Sequence, residues 1–112
     1  MFVKNSKLVV EKAYVQMVTR QDRIRVRFKK DRGKITAFVV QYETLVNDQW
    51  MAIVRYDTTH GEPHTDVMSP DGRKEKRLLH FPNFSDAFSY AQEDVKANWE
   101  LYRKRYFREG TK

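Results

Sequence analysis

The hydrophobic period of the chain changes once, near Asn83, and that single change limits the folds open to it. Upstream, apolar residues recur at every second position, as on a half-buried strand. Downstream, Phe84, Phe88, Ala91, Val95, Trp99, Tyr102 and Tyr106 recur three or four residues apart, as on one face of an amphipathic helix. The expected fold is therefore α+β, with the aromatic stripe of one long C-terminal α-helix lying across a sheet. Asn83 or Ser85 can cap the helix start, just after Pro82. Arg103, Lys104, Arg105 and Arg108 suit the negative end of its dipole.

In the first part of the chain, the clearest strand spans residues 23–29. Arg23, Arg25, Arg27 and Lys29 share one face there, and Ile24, Val26 and Phe28 the other. Asp31, Arg32 and Gly33 turn the chain into a second strand, from 34 to about 46, with Phe38, Val40 and Tyr42 on one face. Asn47 and Asp48 form a two-residue break of the kind that closes tight hairpins. The strand that follows covers 49–57. Simple alternation puts Trp50, Ala52, Val54 and Tyr56 on one of its faces and Met51, Ile53, Arg55 and Asp57 on the other.

A short strand at 64–68, a turn at 69–72 with Pro70 second and Gly72 fourth, and a return over 74–80 continue the pattern. The first twenty residues fit a strand and a loose helix about equally; a strand is favoured near 13–19, pairing with the basic strand through Gln21 and Asp22. The result is an antiparallel β-meander of four to five strands packed on the helix. With 112 residues, 40% of them hydrophobic, the chain can bury one core, so one domain is expected over 1–112.

A formal net charge of +7 makes RNA, or another polyanion, the natural partner. The chain has no cysteine, which excludes disulfides, thiolate catalysis and cysteine-bound zinc. No apolar run approaches the roughly 20 residues of a membrane span, and the first seven residues lack the apolar stretch of a secretory signal. A cytoplasmic protein with no membrane partner is expected.

Residues 55–77 concentrate the chemistry, because they hold two of the three histidines amid turn residues, carboxylates and cations. A metal-free mechanism on RNA would take a proton from a 2′-hydroxyl, protonate the leaving oxygen and stabilise the phosphate with cations. His60 and His64 are the candidate acid and base, with Tyr56 and Asp57 to orient them. Arg55, Arg73 and Lys74 are the candidate phosphate ligands. The comb of Arg23, Arg25, Arg27 and Lys29 could track successive phosphates, since side chains on one strand face repeat about every 6–7 Å.

Each of these readings has a structural alternative. The comb could be a solvated strand face, Asp57 could cap the turn at Thr58 or Thr59, and Asp71 and Gly72 belong to a turn. A metal would need His60, His64 and one carboxylate to converge, and the loop at Gly61 and Pro63 lacks metalloprotease spacing. Neither a metal nor a cofactor is expected. His80, before Phe81 and Pro82, reads as a packing or capping residue.

The run from Val54 to His64 resembles a signature of small, mostly uncharacterised prokaryotic proteins, some of them similar to the TumE-type toxins of toxin-antitoxin pairs. Arg55, Tyr56, Asp57, His60, Pro63 and His64 carry the resemblance, with looser agreement from Asp71 to Arg77 and in the terminal helix. The loop has fewer histidines than the TumE-type pattern. The resemblance implies a small α+β protein directed at RNA, with a cognate antitoxin-like partner. Two functions are thus expected in competition: a toxin-like, metal-independent ribonuclease, or a non-catalytic binding module for nucleic acid or an acidic protein.

Overall fold

A computed structural model describes residues 8–110, the His60 side chain excepted. Its elements are β1 (Val9–Thr19), β2 (Asp22–Asp31), β3 (Lys34–Val46), β4 (Gln49–Asp57), β5 (His64–Met68), β6 (Lys74–Leu78) and α1 (Phe84–Gly110). The strands form one antiparallel sheet in the order β1-β2-β3-β4-β5-β6. Six strands replace the expected four to five. The ambiguous first segment pairs with β2 over its whole length, from Val9 opposite Asp31 to Thr19 opposite Asp22.

The connections follow from local turn chemistry. Arg32 and Gly33 both have positive φ, as do Asn47 and Asp48, and paired positive φ values are what a two-residue turn needs to match the twist of its strands. Gly72, at φ +90, closes the β5–β6 turn through its N–H to the Ser69 carbonyl at 3.0 Å. Asn83 caps α1, its Oδ1 accepting the Asp86 N–H at 2.8 Å.

The helix packs across β3 and β4. Phe88 meets Phe28 and Phe38 at centroid separations of 5.3 and 5.2 Å, and Trp99 meets Tyr42 at 5.9 Å. Ile24, Val26, Phe38, Val40, Tyr42, Ala91 and Val95 are all buried between sheet and helix. Two carboxylates fasten this layer. Asp94 of α1 accepts the hydroxyls of Tyr56 (2.6 Å) and Tyr102 (2.5 Å), and Asp22 of β2 accepts that of Tyr42 (2.6 Å) with Arg103 of α1 3.5 Å away. Burial first, and then the carboxylate acceptors, push all three tyrosines above the usual phenol range.

One irregularity corrects the simple alternation expected for β4. Tyr42 pairs with Val54 but Glu43 pairs with Ala52, which leaves Ile53 as an extra residue in a β-bulge. Ile53 is fully buried, and beyond it the faces exchange. Val54 and Tyr56 face the helix, while Trp50, Ala52, Arg55 and Asp57 share the opposite face. Without the bulge, Arg55 and Asp57 would point into the apolar layer.

Phe38→Ala is expected to cost about 3–5 kcal/mol, since it removes a buried ring from the centre of the helix contact. Urea unfolding measures it, and a loss below about 1 kcal/mol would mean that the helix is not seated there.

Candidate functional site

Among the described residues nothing covers the face of the sheet opposite α1, and at the β4–β5 end this uncovered face carries a connected set of charges. Asp57 ends β4 and is 4% exposed. Its Oδ2 accepts the Arg55 Nε–H at 2.6 Å; its Oδ1 accepts the Thr59 backbone N–H at 3.1 Å and lies 3.0 Å from His64 Nε2. Strand register explains the convergence: Asp57 is opposite His64 and Arg55 is opposite Asp66, so one residue from each strand alternation meets on one face. The sequence-level capping role for Asp57 is realised at Thr59.

The set continues across β3. Arg55 Nη1 donates to Gln41 Oε1 (3.1 Å), Gln41 Nε2 donates to Glu43 Oε2 (2.5 Å), and Arg23 Nε donates to Glu43 Oε1 (2.6 Å) while its guanidinium lies 4.1 Å over the Trp50 ring. A cleft of about 530 Å³ lies over the β4–β6 end, between Arg55, Asp57, His64, Asp66, Lys74 and Lys76. A second hollow of about 430 Å³ continues it towards β1, past Arg25, Arg27 and Gln41.

Burial divides the charges by sign across most of this face, Glu11 at its β1 edge being an exposed carboxylate opposite Lys29. Glu43, Asp57 and Asp66 are buried, whereas Arg25, Arg27, Lys29, Lys74 and Lys76 are exposed. Burial alone would raise the Asp57 pKa. The Arg55 hydrogen bond, the Thr59 N–H and the nearby His64 and Arg55 charges outweigh that and hold it below the ordinary value of 3.8. Asp66 Oδ2 is 3.6 Å from His64 Nε2, while its Oδ1 is buried with no donor. His64, 5% exposed, has Nδ1 3.3 Å from the Glu62 carbonyl, so both ring nitrogens face oxygens of the protein.

A family model described as a domain of unknown function (DUF7718) matches residues 7–112. The chain belongs to this family. No curated protein and no solved structure matches it.

Against this geometry, the residues singled out in the DUF7718 chain fall into separate groups. Arg55, Asp57 and His64 come together, and Lys74 borders their cleft. Tyr56 does not join them: strand alternation sends it through the sheet, where its hydroxyl is bound by Asp94. Arg73 is held in the β5–β6 turn by Asp71, its Nε 2.7 Å from Asp71 Oδ2, and its side chain is largely exposed. Arg25, Arg27 and Lys29 lie exposed along β2, without an ion pair among the described residues, while Arg23 is engaged by Glu43 and Trp50. The His60 side chain lies outside the described part of the structure.

Two members of the site, Gln41 and Glu43, lie outside every segment that the sequence marks as chemical, while Asp66 and Lys76 fall within the stretch 55–77. A signal for the first two was present, since they alternate with Val40 and Tyr42 along β3. Pairing them with Arg55, however, requires the bulge, because the two-residue turn alone would put Gln41 opposite Val54. Among the described residues, no group of three or more His, Asp or Glu side chains is arranged to hold a metal ion.

Because folding lowers the Asp57 pKa, its contribution to stability is complete above the unfolded value and is lost as pH falls through the folded one. Asp57→Asn should therefore remove part of the acid limb of the stability curve. Between pH 7 and pH 3 the variant is expected to lose less stability than the wild type in urea unfolding; equal losses would mean that Asp57 is not held by these partners.

Tyr56→Phe should cost about 1.5–3 kcal/mol, the range for a hydrogen bond to a charged group, and leave any activity of the opposite face unchanged. Thermal unfolding beside an activity or binding assay checks this. An activity loss without a stability loss would return Tyr56 to the site.

Proposed function

We propose that this DUF7718 protein binds single-stranded RNA along the uncovered face of its sheet. The observation that carries the reading is the separation of charge by burial: Glu43, Asp57 and Asp66 are buried and the cations beside them are exposed, with Glu11 at the β1 edge an exposed carboxylate opposite Lys29. A polyanion approaching the face meets Arg25, Arg27, Lys29, Lys74 and Lys76 before it meets Glu43, Asp57 or Asp66. The spacing of Arg25, Arg27 and Lys29 along β2, about 6–7 Å, can follow an extended strand of phosphates. The resemblance of residues 54–64 to TumE-type toxins favours RNA over other polyanions. It also supplies an antitoxin-like protein as the natural partner.

Cleavage is the second reading, and the His64–Asp57 pair at 3.0 Å favours it, because a carboxylate that orients an imidazole is a recurring feature of general bases. Two observations weigh against it. Both His64 nitrogens are directed at protein oxygens, and Tyr56 lies on the other side of the sheet. The buried network is better suited to holding Arg55 and the edge of the cleft in place.

Fluorescence anisotropy with a short unstructured RNA tests the proposal. Affinity should fall with salt at a log–log slope of about −3 to −4, the value for roughly five phosphate contacts on a single strand. Arg27→Ala should weaken binding whatever the sequence and reduce the slope by about 0.7. No binding at low salt would refute the reading. RNA cleavage by the wild type that is lost in His64→Ala would replace it with the ribonuclease, and sensitivity of that cleavage to chelator would bring in a metal.

A further inference from the structure

The two edges of the sheet are built differently. β6 is five residues long, and four of them are charged: Lys74, Glu75, Lys76 and Arg77. Such an edge resists pairing with another strand. β1 has eleven residues, of which only Glu11 and Lys12 are charged, and no proline. It keeps a regular register with β2 from Val9 to Met17, and its irregularity, between Met17 and Thr19, lies at the far end of the strand. Among the described residues nothing covers either of its faces: Val9, Val15 and Met17 are 40%, 50% and 53% exposed on the uncovered side, and Val10 and Tyr14 are 39% and 43% exposed on the helix side. The helix meets β1 at Tyr14, whose hydroxyl accepts from Gln92 Nε2 at 3.3 Å, and does not bury it.

We propose that β1 pairs antiparallel with β1 of a second copy of this chain, joining two sheets into one of twelve strands. Charge favours a second copy over an acidic or basic partner. The chain carries +7, yet β1 contributes one Glu and one Lys and is neutral. The nearest cationic combs, on the two β2 strands, would stand three strand spacings apart, about 14 Å, beyond the Debye length of about 8 Å at physiological salt. Symmetry points the same way. A two-fold axis normal to the sheet at Tyr14 places Ala13 opposite Val15, Lys12 opposite Gln16 and Glu11 opposite Met17 of the second copy, so no like charges face each other. Because β6 is blocked, the assembly closes at two and does not grow into a fibre. The same axis leaves both uncovered faces on one side, giving a longer RNA two cationic grooves to occupy together.

Sedimentation of the full chain, with and without Val15→Lys, tests the interface. The wild type is expected to dimerise and the variant, an exposed substitution whose fold is checked by circular dichroism, to be monomeric. The chain has no cysteine, so Tyr14→Cys can form a disulfide only between copies. It should crosslink about a hundredfold faster than Leu101→Cys on the exposed helix surface, because pairing raises the effective concentration of the thiols. A monomeric wild type, a dimer that persists in Val15→Lys, or equal crosslinking at the two positions would overturn the proposal.

Discussion

One helix cannot cover both faces of a six-stranded sheet. That constraint governs the rest of the structure, because the strands beneath α1 must carry one apolar face for it and one face that water can wet. Ile24, Val26, Phe38, Val40 and Tyr42 meet the first demand, and Phe88 and Trp99 of the helix close over them. The second demand leaves a broad polar surface with no partner in the fold. Charges placed there cost little where they are exposed, and where they are buried they are paired. The candidate site is the buried, paired part of that surface, with free cations around it.

The bulge at Ile53 decides which residues reach it. An unbroken β4 would turn Arg55 and Asp57 towards the helix, where two charges in an apolar layer would each need compensation. One extra residue exchanges the faces and lets Val54 and Tyr56 take the inner positions. Asp57 then finds Arg55, Thr59 and His64 within hydrogen-bonding reach, and Arg55 finds Gln41. A local change in backbone count thus converts an apolar strand into the floor of a charged cleft.

The fold class was legible in the sequence, because the period of hydrophobicity is direct evidence of which elements form. The basic strand and its partner with Phe38, Val40 and Tyr42 follow from alternation, and the aromatic helix from the three-to-four-residue period. The bulge was not legible, since Met51 and Ile53 satisfy the same alternation as the residues they displace. Tyr56 and Asp57 are neighbours in sequence, but neighbours on a strand point to opposite faces. Asp66 and Lys76 fall within the chemical stretch 55–77, but their place in the site depends on which strands lie side by side. The first strand was ambiguous because an edge strand exposed on both faces has no strong pattern to show.

The central claim is that the uncovered face, and not the helix surface, is where this protein meets its partner. Amide chemical-shift mapping during titration with a short single-stranded RNA tests it residue by residue. The account predicts the largest shifts at Arg25, Arg27, Gln41, Arg55, Lys74 and Lys76, with Lys96 and Lys104 on the outer side of α1 unmoved. Shifts centred on Lys96 and Lys104, with the strand cations unaffected, would contradict it.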